Sequence, residues 1–175
     1  MNEMRFWALI ASFDWERTGD DEAVLAPASR VLRGLSPEEI LAFEDLLAAK
    51  LYALDTREHA RWCYQGEADP DNGDDYISAD DFLYRRCVVV ANGREFYEGV
   101  LADPSHFPTG MEFESLLYLA GNAYEARTGA PHDQLTSVSW ESFSNTEGWQ
   151  PAQSTTAGRY TGPGVPPLNR RPAGE

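Results

Sequence analysis

Residues 80–91, DDFLYRRCVVVA, and their continuation 92–104, NGREFYEGVLADP, decide how this chain is read. Wound as a helix, the stretch sets Phe82, Arg86, Val89 and Val90 on one side at three- and four-residue spacing, and Asn92-Gly93 supplies a stop. Val88-Val89-Val90 is β-prone, yet it lies inside that helical register. Arg86 therefore falls on the core-facing side. A guanidinium among apolar neighbours is costly unless a carboxylate, backbone carbonyls or an anionic ligand holds it. Asp80, Glu98 and Glu44 carry carboxylates that could serve, so a clamp between two helices and a ligand-binding arginine both stand open. Asp81 and Arg85, four apart, read as a solvent-side pair.

Helical spacing continues outward in both directions. Asn2 can cap a first helix carrying Phe6, Ile10 and Phe13, with Trp7 beside them. After Thr18-Gly19-Asp20 comes a second, through Val24, Ala28, Val31 and Leu32, in which Pro27 marks the first turn or a kink. Ser36-Pro37-Glu38-Glu39 is a capping box with proline at the first helical position, followed by Ile40, Phe43, Leu47, Leu51 and Leu54 on one face. Thr56 opens a short helix bearing His59, Trp62 and Cys63. Arg94–Leu101 forms another, ended by Asp103-Pro104. Thr109-x-x-Glu112 reads as a second capping box, ahead of Phe113, Leu116, Leu117, Ala120 and Tyr124.

Beyond Pro131 the periodicity stops. Trp140, Phe143 and Trp149 offer anchors for an irregular segment, and 151–175 is Pro, Gly, Ser, Thr and Arg without apolar period, the composition of a flexible tail. The fold expected is all-α: a compact domain of six to seven helices over residues 1–130, an irregular extension packed on it over 131–150, and the tail over 151–175.

The chain has 175 residues and a net charge of −15, nearly all of it carried by residues 1–128. That field repels nucleic acid and anionic lipid, and no segment approaches the roughly 18 apolar residues of a membrane span. MNEMRFWALI has neither the basic region nor the apolar run of a signal peptide. Cys63 and Cys87 lack C-x-x-C spacing and sit in apolar patterns, as reduced buried thiols do. Together these place the protein in the cytoplasm, with no nucleic-acid or membrane partner.

Phe6-Trp7-Ala8-Leu9-Ile10, Leu35-Ser36-x-Glu38-Glu39-Ile40 with Phe43, and Asp80-x-Phe82 with Arg86, Gly93, Tyr97 and Asp103-Pro104 follow in an order that resembles the DUF4240 family of uncharacterised bacterial proteins. Tyr118 and Ala123-Tyr124 fit the same pattern, and the likeness spans about residues 3–130. It implies a compact helical domain and no established activity. Where the family carries an aromatic before the arginine, this chain has Arg85, which leaves open which of Arg85 and Arg86 faces inward.

Catalytic signatures are missing. The three histidines, His59, His106 and His132, form no H-x-x-x-H or E-x-x-H pair, and there is no nucleophile elbow, phosphate loop or dinucleotide fingerprint. Asp69–Ile77 is rich in carboxylates, but its glycine falls one place early for a calcium loop and no glutamate closes it, so no metal or cofactor is expected. His59, after Glu58, reads as a satisfied boundary residue before a base. Trp7, Trp62, Tyr84, Tyr97, Tyr118 and Tyr124 read mainly as core. Two functions follow: a binding or regulatory module holding a protein or small-molecule ligand, or a small accessory enzyme with a pocket around Arg86, Asp80 and Tyr97. The candidate ligand-binding residues are Asp80, Arg86, Tyr97 and Glu98.

Overall fold

A computed structural model describes residues 1–66, 77–133 and 135–150. The calcium-like loop, except Ile77, and the tail after Gln150 lie outside the described residues. Seven helices and no strand are present among those described: α1 (Glu3–Ile10), α2 (Asp21–Arg33), α3 (Pro37–Ala53), α4 (Arg57–Cys63), α5 (Ala79–Ala91), α6 (Arg94–Ala102) and α7 (Leu119–Thr128). None of them is long and apolar enough to cross a membrane.

The best-specified element is α3. Ser36 Oγ accepts the Glu39 amide at 3.3 Å while Glu39 Oε2 accepts the Ser36 amide at 3.3 Å, and Pro37 occupies the first turn, where no amide proton is needed. Its Ile40, Phe43, Leu47 and Leu51 are fully buried. Helix α7 packs against both α2 and α3, and α5 lies against α3 and α6. From Arg86 to Ala91 every residue of α5 is buried. A helix enclosed on all sides has no polar face to show, which explains the triple valine: burial outweighs the modest helical penalty of β-branching. Gly93, at φ +92°, turns the chain from α5 into α6 in a conformation that a side chain would strain.

Several local expectations shift. α1 ends at Ile10, and a 3-10 turn at Trp15–Arg17 leads into α2. Pro27 sits inside α2 rather than in its first turn. The capping box at Thr109–Glu112 does not form. That stretch is irregular, Phe113 donates its amide to Tyr84 O at 3.1 Å, and a 3-10 turn over Glu114–Tyr118 precedes α7. Glu112 is drawn instead to Asp81, and α7 starts later than the apolar spacing predicts.

The segment after α7 runs back over the body. Ser137 donates its amide to Asp45 Oδ1 at 2.8 Å, Ser142 Oγ reaches Ala79 O at 2.6 Å, and the Arg57 amide bonds Gly148 O at 3.0 Å. Trp149 sets its ring edge-on to Phe82 at 6.1 Å and packs on Phe143 at 4.6 Å. A Cβ at Gly148 would stand 2.8 Å from Thr56 Cγ2, so the close approach depends on glycine.

Candidate functional site

Helix α3 leaves its last four carbonyls without intrahelical donors, as every α-helix does. Three are met from elsewhere. The Tyr97 hydroxyl donates to Lys50 O at 3.3 Å, Arg86 Nη1 to Leu51 O at 2.8 Å, and Asn145 Nδ2 to Tyr52 O at 3.2 Å. Arg86 Nη2 donates to Trp140 O and Ser142 Oγ, both at 2.9 Å, and its Cζ lies 4.8 Å from the Phe82 ring. The arginine is completely buried, and Nε faces no acceptor among the described residues.

Among the described residues, no carboxylate touches it directly. Burial pulls its pKa below the ordinary arginine value, opposed chiefly by the charge of Asp55. A cation at the C-terminal end of a helix also gains from the helix dipole. Arg86 is thus held by carbonyls and a hydroxyl; its carboxylate, Asp55, acts through space.

Asp55, also wholly buried, grips the same irregular segment from the other side. Its Oδ1 accepts the Phe143 amide at 3.0 Å and the Trp149 indole N–H at 2.9 Å; Oδ2 accepts the Asn145 amide at 2.9 Å and Ser144 Oγ at 3.4 Å. Phe143 is held at φ +71°, a left-handed conformation costing roughly 1–2 kcal/mol, which that carboxylate bond offsets. Residues 140–149 form a latch, fixed by one buried anion and one buried cation.

Arg85 takes the other route. Its Nε meets Asp81 Oδ1 at 2.7 Å, Nη1 reaches Cys63 O at 3.3 Å, and the guanidinium lies 4.9 Å from the Tyr64 ring. The Asp81–Arg85 pair is half-buried rather than solvent-side, because Tyr64 closes over it and donates to Asp81 Oδ2 at 2.5 Å. Burial raises the Asp81 carboxyl, but the bonds from Tyr64, Glu112 and Arg85 outweigh it and hold it below its usual range. Beside it Glu112 is raised, mainly by sharing a hydrogen bond with Asp81.

Among the four candidate residues, Arg86 and Tyr97 come together at neighbouring carbonyls of α3, inside the protein. Glu98 is exposed and pairs with Arg94 at 2.7 Å. Asp80, exposed on the first turn of α5, lines a cleft.

That cleft measures 790 Å³ and is walled by α3, α5, α7 and the chain from His132 to Glu141. Glu44, Asp80, Glu125 and Glu141 bring four carboxyl groups to it, and Tyr84, Tyr118 and Trp140 bring aromatic faces; no lysine or arginine lines it among the described residues. Glu44 is nearly buried, and burial pushes its carboxyl above the usual range, opposed by His132. His132 Nε2 stands 2.7 Å from Glu44 Oε2, close enough for a charge contact but without the alignment of a good hydrogen bond. The imidazole lies over Gly121, where a Cβ would meet its Nδ1 at 3.6 Å, an ordinary packing contact. The Tyr84 hydroxyl is raised by burial and then by Glu114 and Asp80, the mark of a negative local field.

The family described as "protein of unknown function (DUF4240)" matches residues 1–126. The chain belongs to the DUF4240 family. Comparison with curated proteins and with solved structures gave no match. The DUF4240 match ends before the latch, so Arg86 and Asp55 stand inside the family region while the segment they grip lies beyond it. The distal wall of the cleft lies beyond it too.

Asp55 and His132 escaped the sequence reading of this DUF4240 chain, whereas Trp140 was legible as an anchor of the irregular segment. Asp55 follows Leu54 at a helix end, where an aspartate reads as an ordinary cap. His132 had no partner at helical spacing. Glu44 gave a usable signal, because it follows Ile40 by four residues on the apolar face of α3, as Arg86 follows Phe82 on α5. Tyr118, at 54% exposure, and Trp62, at 47%, are on the surface rather than in the core.

Proposed function

We propose that this DUF4240 protein is a non-catalytic binding module of the cytoplasm, holding a cationic group of a small ligand or of a protein partner in the cleft between α3, α5 and α7. One observation carries the reading: the 790 Å³ cleft joins four carboxyl groups to three aromatic faces, with no lysine or arginine among the described residues of its walls. Its size is that of a small-molecule site. Carboxylates supply charge and hydrogen-bond acceptors to an ammonium or guanidinium, and tyrosine and tryptophan faces attract the same cation through their quadrupoles. The overall charge of −15 would steer such a ligand inward. Two free, buried thiols suit a reducing compartment.

The accessory-enzyme alternative has no comparable support, because Arg86 and Tyr97 direct their polar atoms to α3 carbonyls. Isothermal titration with spermidine, and with a tetra-arginine peptide, tests the binding reading. Saturable binding that weakens with salt, and falls at least about tenfold in the Asp80→Asn/Glu141→Gln double variant, is expected. Failure to saturate with either probe, or equal heat from a neutral amide of the same length, rejects it.

A further inference from the structure

Tyr118 and Asn122, an exposed pair four residues apart, line the acidic cleft and also a second groove of 550 Å³ between α2 and the start of α7. The second groove has the opposite polarity. Arg30 and Arg33, in the last turn of α2, line it with Ser29 and Asn122 over apolar contacts from Leu25 and Leu119. Neither arginine side chain has an ion pair or hydrogen bond among the described residues. Glu22, the one carboxylate among the described residues lining the groove, is eight residues from Arg30, about 12 Å along the helix.

With 29 acidic residues against 14 basic ones, carboxylates are abundant, and Arg5, Arg17, Arg85 and Arg94 each have one. The helix dipole accounts for cations in the last turn of α2 but not for their lack of partners, nor for the concavity they line. We propose that this groove is a second binding site, for a small ligand whose oxyanion, a phosphate or a carboxylate, is gripped by Arg30 and Arg33. Each guanidinium presents a planar fork of N–H donors that matches two oxyanion oxygens, and two forks three residues apart approach one group from neighbouring directions. Asn122 and Ser29 add neutral donors, and Leu25 and Leu119 receive the apolar body.

Phenyl phosphate and benzoate are suitable probes, with benzyl alcohol as the uncharged control, followed by amide chemical shifts of the whole chain at low salt. Saturable shifts around residues 29–33 and 115–122 are expected with at least one of the two anions, and the tighter one identifies the oxyanion. Affinity should drop at least about tenfold in Arg30→Gln/Arg33→Gln and stay unchanged in Arg61→Gln, an exposed arginine outside the groove. Asn122→Asp, which sets a carboxylate in the groove and leaves both arginines in place, should weaken binding as well. Equal binding of benzyl alcohol, no saturation with either anion, or full affinity in the Arg30/Arg33 double variant overturns the proposal. The probes are anions, so the outcome is separate from that of the acidic, cation-binding cleft.

Discussion

Arg86 and Asp55 hold one latch from two sides, so their removal should not be additive. In Asp55→Asn one side-chain atom remains an acceptor, and the other becomes an NH2 donor aimed at a donor. If the amide oxygen stays with the Phe143 amide and the Trp149 indole, the Asn145 amide loses a 2.9 Å charge-assisted bond and meets a donor instead. Losing that bond costs about 1.5–3 kcal/mol, and an unsatisfied buried donor about 1–3 more. Arg86→Met keeps the volume but strips donors from Leu51 O and Trp140 O, at about 1–3 kcal/mol for each that stays buried. Release of the latch to water caps both losses. Once one substitution has freed residues 140–149, the second finds little left to break. Urea unfolding followed by far-ultraviolet circular dichroism and by the fluorescence of the five tryptophans, Trp140 and Trp149 of the latch among them, should give a double-variant loss at least about 1 kcal/mol smaller than the sum of the singles. Additivity within about 0.5 kcal/mol would show that the two residues act separately and refute a shared latch.

Three other outcomes follow from the buried groups. Burial pushes the Cys63 thiol up to about 11 and Cys87 up to about 12, so neither should react with a disulfide reagent until the protein unfolds; reaction of the native protein at the rate of a free thiol contradicts this. His59 is held neutral, its Nε2 at 3.2 Å from Val100 O and its Nδ1 at 2.7 Å from Thr56 Oγ1, and burial lowers its pKa. The unfolded chain therefore takes up the proton first, so this contribution is complete above about pH 6.5 and is lost as pH falls through the folded pKa, a slope that should flatten in His59→Gln. Glu44 has the opposite sign: its raised pKa means that ionising it costs stability as pH rises from its unfolded value through its folded one. Glu44→Gln should match or exceed wild-type stability at pH 7, and a loss of more than about 2 kcal/mol there would mean that the charged His132 contact outweighs burial.

Helix identity was legible in the sequence wherever apolar spacing and a stop signal agreed. Ser36–Glu39 and Asn92-Gly93 bound α3 and α5 as their caps predict. Thr109–Glu112 misled because a capping box is only a local preference, and Glu112 finds Asp81 across space instead. Arg86 announced itself by standing on an apolar face. The acceptors that satisfy it did not, since two are backbone carbonyls, which any residue type carries. Asp55 and His132 act across 94 and 88 residues of chain, respectively, and one sequence holds no periodic trace of such contacts. The Arg85–Tyr64 stacking was hidden for the same reason.

The cleft between α3, α5 and α7 is tested most directly by mapping amide chemical shifts of the full chain during a spermidine titration at low salt. Saturable perturbation centred on residues 79–84, 117–125 and 132–141, and reversed by added salt, is the expected result. Shifts scattered over the acidic surface in proportion to exposure, or none that saturate, contradict a built cation site.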